Sequence, residues 1–465
     1  MSRKRNMVCF ALPSDNRPTD RGLRQESYLN ARAQAQTLEQ RANPADPPDR
    51  SMFASLKVPD YRYLWIGMVG SAFAMNMQLV AQGWLVYEMT VSAMNLAWVT
   101  LSFMIPQIVF SLLGGVLADR LKKKPVIMWA QMLNGVATLV MAFIVITGNV
   151  TFWDFIWVSA FNGTVLALSM PARTAFIPEI VGEALMFNAM AFNTASWNLA
   201  RILGPALAGL MIALFGDGDT SSEFGVGLVY FVLSGLYFVS SFTVLLMHHD
   251  GFPVGKATNS HLAAVGEGLS YVLHSPIVGG LILLSIMPFL FGLTINTLLP
   301  AFNTDILAGG PKDLGFLMTA MGVGAIGGSL ALAKLGQLRH KGFWLFVTCA
   351  LWGITVAWFG VTETVFWATL AVGLVGFISA INMSMNRSIV QLQVSQEMRG
   401  RIVSIDMMSH GLMPLGLLPI SLVAENYGVQ YGLIVSGIIL LAVTLLLWVC
   451  LPMVRRIDDG FEKLE

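Results

Sequence analysis

The stretch Gly114-Gly115-Val116-Leu117-Ala118-Asp119-Arg120-Leu121-Lys122-Lys123-Lys124 decides the fold of this chain. It closes an apolar run that begins at Leu96, and it changes within a few residues from glycine and aliphatic side chains to charge. About 20 apolar residues span a bilayer as a helix, and lysines just beyond such a helix mark the cytoplasmic side. Paired glycines let a neighbouring helix approach closely. The stretch therefore predicts a tight cytoplasmic turn between two membrane helices, with the carboxylate of Asp119 at its start.

The composition agrees with a protein that lies largely in lipid. Of the 465 residues, 55% are hydrophobic and only 12% are charged, whereas a soluble domain is about 25% charged. The net charge of +1 argues against a nucleic-acid partner. The three cysteines, Cys9, Cys349 and Cys450, show neither the CxxC spacing of a metal site nor a disulfide framework. We therefore expect neither a metal nor a cofactor.

Apolar runs divide the chain from Tyr61 onward into twelve predicted membrane helices. The fold class that follows is an all-α integral membrane protein. The predicted spans are 61–87, 93–118, 126–147, 153–172, 190–215, 225–247, 277–302, 314–335, 343–361, 364–385, 402–424 and 430–452.

Four regions follow from these spans. Residues 1–50 are polar, lack the apolar core of a secretory signal, and cannot bury enough surface to fold alone. We expect a disordered cytoplasmic tail there, either a passive extension or a regulatory one. Residues 51–247 are expected to form a six-helix bundle, 248–276 a central cytoplasmic loop, and 277–465 a second six-helix bundle with a short tail.

The connections between the spans alternate in charge. One set carries lysine and arginine, for example Lys122 to Lys124 and Arg455, and the alternate set carries acids such as Asp154 and Asp305. The only lysine or arginine in the acidic set is Lys312. The excess of lysine and arginine marks the cytoplasmic loops, so we expect both termini in the cytoplasm.

An internal repeat supports the division into six and six. Transporters built from two six-helix halves relate the halves by an axis along the membrane normal. Three pairs lie 213 or 214 residues apart: Gly114-Gly115 with Gly327-Gly328, Arg173 with Arg387, and Pro205 with Pro419.

Five short segments resemble the major facilitator superfamily, in particular its transmembrane secretion effector branch, which contains enterobactin exporters and macrolide efflux pumps. The segments are Tyr61-Arg62-Tyr63-Leu64-Trp65, Trp84 to Thr90, Gly115 to Arg120, Pro171 to Glu179, and Arg399-Gly400-Arg401-Ile402-Val403-Ser404. The resemblance covers about residues 51 to 455. It implies two pseudo-symmetric six-helix bundles that rock about a central site.

The resemblance also implies a gate on the cytoplasmic side. Gly115, Asp119, Arg120 and Lys123 match the gating motif of the family, which would bring Asp119 to the start of span 11 near Arg401. A carboxylate at a helix N-terminus is stabilised by the helix dipole. In the second half the counterpart of Asp119 is Leu332, so that half lacks the carboxylate.

Span 5 combines a second motif with a buried charge. Gly204, Pro205 and Gly209 resemble the antiporter motif of facilitator exporters, with Ala208 in place of a glycine. The alternative is an ordinary kinked membrane helix. Arg201 lies about eleven residues into the span, roughly 16 Å deep at 1.5 Å per residue. A charge at that depth is costly, so Arg201 either binds a substrate anion or forms half of a structural pair. Snorkelling to the membrane surface is a third option, which the depth disfavours.

Polar side chains within the spans predict a central cavity. Each of them could instead tie two helices together by hydrogen bonding. Together with nearby aromatic residues they indicate a large, mostly apolar cavity for a bulky amphipathic solute. The substrate-binding candidates are Asn76, Gln78, Gln82, Arg201, Asn296 and Asn382.

Three acids are candidates for proton coupling. Asp406 lies about one turn inside span 11 with apolar neighbours, where a carboxyl group loses hydration. Glu88 and Glu425 lie near the outer ends of spans 1 and 11, where interfacial charges are also common.

The sequence thus predicts a secondary active exporter in the bacterial cytoplasmic membrane, a monomer whose partners are a small-molecule substrate, the bilayer and protons. An importer of a metabolite or organic anion with the same fold is the first alternative. An integral membrane enzyme is the second, and it would need a denser cluster of metal-binding residues than His248, His249 and Asp250. The substrate and the coupling ion do not follow from the sequence.

Overall fold

The computed structural model of the chain describes residues 53–216, 223–251, 261–335, 340–394, 398, 402, 405–406 and 412–457. The predicted tail, residues 1–50, lies outside this part. Within the described residues the regular structure is helical throughout, with no strand. The all-α fold class is therefore confirmed.

The first half of the chain forms five helices, which follow a short 3-10 turn at Ser55–Lys57. Local signals mark the starts of the first two helices. Helix α1 has a proline in its first turn, and α2 is capped by Ser92, whose hydroxyl accepts a hydrogen bond from the amide of Asn95. The helices are α1 (Pro59–Thr90), α2 (Ala93–Arg120), α3 (Lys123–Ile146), α4 (Phe152–Phe215) and α5 (Glu223–Leu245).

Helix α4 is too long for one crossing of a membrane. Its 64 residues extend about 96 Å at 1.5 Å per residue, some three times the hydrocarbon core of a bilayer. The helix breaks at Gly182, where φ is 72° and ψ is 171°, a conformation that favours glycine. We call the two arms α4a (152–181) and α4b (183–215).

The connection between spans 4 and 5 is shorter in the structure than the sequence predicted. The sequence placed 173–189 outside the spans, but these residues are helical on both sides of Gly182. Charged side chains such as Arg173 and Glu179 end the apolar run without ending the helix, since both residue types are good helix formers.

The second half follows a central segment that contains a helix. Residues 248–276, predicted as a loop, include α6, and one later crossing is built from α7, a π-helical turn (Pro288–Gly292) and α8. The remaining bounds are α6 (His261–His274), α7 (Pro276–Met287), α8 (Thr294–Asp305), α9 (Pro311–Leu335), α10 (Lys341–Gly360), α11 (Val365–Gln393), α12 (Met413–Tyr427), α13 (Val429–Cys450) and α14 (Pro452–Arg455).

Ten helices of the described chain are long and apolar enough to cross a membrane, and α4 counts once among them. The predicted span 402–424 is described only at Ile402, at 405–406 and from 412 onward. The number of twelve crossings therefore stays a prediction, while a multi-pass membrane protein is established.

Equivalent helices pair in the two halves. Helix α2 packs on α4 and α3 on α5, and in the second half α9 packs on α11 and α10 on α13. A Cβ on Gly114 would overlap the carbonyl of Ala167, and a Cβ on Gly328 would overlap the carbonyl of Phe377. Gly114 thus corresponds in packing to Gly328, 214 residues later, rather than to Gly327. The contacts join both halves in one compact unit, Ser55–Glu465.

The helices alternate in direction, so their connections collect at two ends. We call the end that holds residues 121–122, 182 and 246–251 the basic end, and the end that holds 91–92, 147–151, 306–310, 361–364 and 428 the acidic end. The charge bias described above predicts that the basic end faces the cytoplasm.

Candidate functional site

A cavity of about 410 Å³ lies between the two halves, within the size range of small-molecule sites. Four of the six predicted substrate-binding residues line it: Asn76, Gln82, Arg201 and Asn296. The rest of the wall is mostly apolar. It includes Trp352 and four methionines, at 318, 321, 383 and 413.

Arg201 is exposed on the cavity side of α4b. It lies 14 residues before the end of that arm, about 21 Å from the acidic end at 1.5 Å per residue. Within the described residues no hydrogen bond or ion pair reaches its guanidinium, and no aspartate or glutamate lines the cavity. The cavity wall therefore carries a single positive charge, and the structure offers no internal partner for it in the described part.

Gln78 lies behind the cavity wall rather than on it. Its amide nitrogen donates to Gln82 Oε1 at 3.3 Å, and its oxygen accepts from Asn162 Nδ2 at 3.4 Å. Gln82 in turn donates to Ser159 Oγ at 2.8 Å. This amide chain ties α1 to α4a and fixes the orientation of Gln82 at the wall.

Asn382 is placed away from the cavity as well. Its amide nitrogen donates to the carbonyl of Leu345 at 3.1 Å and to Thr348 Oγ1 at 3.0 Å. The side chain is buried and holds α11 against α10. This is the helix-to-helix hydrogen bonding that the sequence left open as the alternative for each polar residue.

The motif in span 5 lies where the halves cross. A Cβ on Gly209 would come within 2.5 Å of the Pro311 carbonyl and 3.1 Å of Gly315 Cα, and a Cβ on Gly315 would come within 2.5 Å of the Pro205 carbonyl. Gly204 lies against Asn76, whose Cβ would be 2.9 Å from an added methyl. Helices α4b and α9 therefore meet backbone to backbone.

Hydrogen bonds between the halves close the acidic end. The hydroxyl of Tyr87 on α1 donates to Asp305 at the end of α8. Ser92 Oγ and the amide of Met94, at the start of α2, donate to Glu425 Oε2 on α12 at 3.0 and 3.2 Å. We call these two contacts the acidic-end latch.

Sequence reasoning missed the latch. Tyr87 and Asp305 are 218 residues apart, and nothing local links a tyrosine at the end of one apolar span to an aspartate at the end of another. Glu425 was singled out for proton coupling instead. Its carboxylate lies at the N-terminus of α2, where the helix dipole stabilises a negative charge. That preference is a signal that could have paired Glu425 with the start of α2.

At the basic end, the lysines of the 121–124 turn bind within the first half. Lys123, with 1% of its side chain exposed, pairs with Glu179 on α4a at 2.5 Å. Lys122 pairs with Asp250 at 2.8 Å, and this hydrogen-bonded ammonium holds the pKa of the Asp250 carboxyl below its ordinary value. The amide of Lys124 donates to the Asp250 carbonyl at 3.0 Å. The turn is thereby fastened to the segment that leaves α5.

The predicted gate contact itself falls outside the described part. Gly115 has open space around it and Arg120 is exposed at the end of α2. The side chain of Asp119 and all of Arg401 lie outside the described residues. The gating role of these residues stays a prediction.

The three proton-coupling candidates lie apart from the cavity wall. Asp406 is 7% exposed and accepts a hydrogen bond from Ser285 Oγ of α7 at 2.8 Å. Glu88 is half-buried near the acidic end, and Glu425 belongs to the latch. None of the three is among the residues that line the described cavity.

Comparison with known proteins places this architecture in a family. The family model described as transmembrane secretion effector matches residues 50–460. The chain is 24% identical over 398 residues to the multidrug efflux pump Tap of Mycolicibacterium fortuitum, covering 82% of this chain and 92% of that protein. It is 23% identical over 388 residues to the staphyloferrin A transporter of Staphylococcus aureus, covering 83% and 91%. It is 24% identical over 341 residues to the enterobactin exporter EntS of Shigella boydii, covering 71% and 79%.

Solved structures share the fold. The nucleoside transporter NupG superposes with a TM-score of 0.65 at 15% identity, covering 85% of this chain and 99% of that one. A bacterial homologue of the human lysosomal transporter Spinster superposes with a TM-score of 0.65 at 11% identity, covering 86% and 96%. The family match spans nearly the whole described chain, and its curated relatives are transporters rather than enzymes. The chain belongs to the transmembrane secretion effectors, a branch of the major facilitator superfamily of membrane transporters.

Proposed function

We propose that this chain is a secondary active exporter of bulky amphipathic small molecules, which works by alternating access. The observation that carries the proposal is the cavity between the halves. Both halves contribute residues to its wall, and the wall is mostly apolar with a few polar side chains. A site shared by two bodies changes when the bodies move, which lets substrate binding depend on conformation. The relatives named as a multidrug efflux pump and an enterobactin exporter support the outward direction.

The positions of the contacts between the halves support the same mechanism. The latch and the Thr100–Thr297 hydroxyl pair, at 3.4 Å, join the halves on the acidic side of the cavity. The hydroxyl of Thr319 also donates across the halves, to the Ile202 carbonyl next to Arg201, at 2.9 Å. In the proposed cycle, substrate enters from the basic end, and the latch opens to release it at the acidic end.

The finer features of the proposal follow the charge pattern and the repeat. The chain has twelve crossings, lies in the bacterial cytoplasmic membrane with both termini in the cytoplasm, and acts as a monomer. Gly115, Asp119, Arg120, Lys123 and Arg401 form the gate at the basic end.

Protons entering from outside drive export in this proposal. Asp406 is the leading carrier because it is buried and bonded to Ser285 on another helix. Its protonation would weaken that contact and move span 11 relative to α7. Glu88 and Glu425 are the remaining candidates.

Direction of transport tests the proposal. Everted and right-side-out membrane vesicles carrying the chain are energised and offered siderophores, macrolides and cationic dyes, with vesicles lacking the chain and a protonophore as controls. Export predicts accumulation in everted vesicles that the protonophore abolishes. Accumulation in right-side-out vesicles alone would identify an importer, and accumulation in neither would refute export of these classes.

A further inference from the structure

The charge of the cavity wall points to a class of ligand. We propose that the cavity binds amphipathic organic monoanions, with the carboxylate held by Arg201 in the first half and the apolar body lying against the second half. The inference rests on the proposed function, since it names the substrate class of the same cavity.

The electrostatic argument starts from the isolated cation. Arg201 lines the cavity, no carboxylate lines it, and no described residue bonds to the guanidinium. A charge within the membrane is costly unless it is paired, and charges attract or repel strongly where water is sparse. An anion entering the cavity supplies the missing partner, whereas an organic cation is repelled. The guanidinium fork also matches a carboxylate in shape, because two parallel N–H donors meet two oxygens.

Two further polar groups on the wall have no partner among the described residues. Asn296 Oδ1 is buried without a donor, and the indole N–H of Trp352 is buried without an acceptor. Both residues line the cavity. Both atoms are covered by protein, and the indole nitrogen lies against Gly292, so a ligand would reach them only after a movement of the wall.

The opposite wall suits an apolar body of variable shape. Met318, Met321, Met383 and Met413 line the cavity and all come from the second half. Thioether side chains are flexible and polarizable, so they fit differently shaped apolar surfaces. The anion on one half and the apolar body on the other would link the halves through the ligand, so that ligand binding depends on how the halves approach.

Probes that share one apolar body and differ only in head charge test the proposal. The purified full chain in lipid nanodiscs is titrated with pyrenebutyrate, pyrenebutyramide and pyrenebutylamine, with empty nanodiscs as the correction for partition into lipid. Hydrogen bonds to charged groups correspond to roughly 10- to 100-fold in affinity. We expect pyrenebutyrate to bind at least about tenfold more tightly than the amide, and the amine to bind most weakly.

Variants of Arg201 assign the preference to this residue. Arg201→Gln should abolish the preference for the carboxylate over the amide, and saturable binding of the amide shows that the variant is folded. Arg201→Lys should keep part of the preference, since an ammonium retains the charge without the fork. Arg387→Gln removes an exposed arginine outside the cavity and should behave as wild type.

Three results would overturn the inference: equal affinity for the three probes, no saturable binding of pyrenebutyrate, or a carboxylate preference that survives in Arg201→Gln. The vesicle experiment and the binding experiment can fail separately, so their outcomes distinguish the proposed function from this inference. Preferential anion binding without vesicle accumulation would refute export and leave this inference standing, while export of dyes with no carboxylate preference would do the reverse.

Discussion

Replacing Tyr87 by phenylalanine should open the acidic end. The change removes the hydroxyl that donates to Asp305 and keeps the buried ring, of which only 4% is exposed. A hydrogen bond to a charged group contributes roughly 1.5–3 kcal/mol. Asp305 is exposed to solvent, so the lower value of about 1.5 kcal/mol applies. Since 1.4 kcal/mol is a factor of ten in an equilibrium, an open population of about 1% should rise to about 10%.

Distances between spin labels measure this shift. Asn149 and Glu363 are exposed on connections at the acidic end, one in each half, so a cysteine pair at these positions reports the separation of the halves in nanodiscs. Tyr87→Phe should add a longer distance to the distribution. Tyr431→Phe is the matched control, because Tyr431 is 59% exposed and lies near the start of α13 at the same end.

An unchanged distance distribution in Tyr87→Phe would show that the Tyr87–Asp305 contact does not hold the halves together. A longer distance that appears equally in Tyr431→Phe would refute the reasoning too, since that variant removes a hydroxyl without touching the latch.

Three further predictions concern the crossing, the proton carrier and the gate. Gly209→Val should lower the melting temperature and abolish transport in everted vesicles, because the added side chain would overlap facing backbone; Gly235→Val, where a Cβ meets nothing within 4 Å, is the control. Asp406→Asn should uncouple efflux from the pH gradient but leave downhill exchange, measured as substrate-driven proton flux in proteoliposomes. Ser285→Ala keeps the carboxylate but removes the contact that its protonation would weaken, so proton flux should become less tightly coupled to substrate rather than be lost. Unchanged flux in Asp406→Asn would eliminate this acid. Asp119→Asn should cripple transport with normal membrane insertion, whereas wild-type rates would count against the gate.

The sequence predicted the helices better than the faces that they present. Apolar runs are long enough to reveal crossings, and a charge such as Arg201 within one is costly enough to predict a cavity or a partner. The same reasoning cannot separate Gln82, on the cavity wall, from Gln78 behind it, because both are amides on one helix one turn apart. The contact of Asn382 with α10 could not be predicted either. Its partner depends on how α10 and α11 pack, and no local sequence pattern encodes that packing.

Turns and contacts between distant residues were also not predictable from the sequence. The arms of α4 meet at a single glycine, Gly182, because charged helix formers continue the helix after the apolar run ends. The Tyr87–Asp305 pair depends on the approach of two halves that are separate along the chain. The sequence repeat aligned Gly114 with Gly327, whereas the structure shows that Gly328 makes the equivalent close contact. The alignment is one residue off because two adjacent glycines in each half can be matched in two ways.

The backbone contact between α4b and α9 also determines how far each end of the protein moves when the halves rotate. Two surfaces without side chains at their contact can turn against each other without changing rotamers, so the contact at Pro205 and Gly315 can serve as a pivot. Pro205 is ten residues from the acidic end of its arm and 22 from the basic end, about 15 and 33 Å at 1.5 Å per residue. A rotation about this point displaces the basic end roughly twice as far as the acidic end. A short-range latch on the near side can therefore govern a wide opening on the far side.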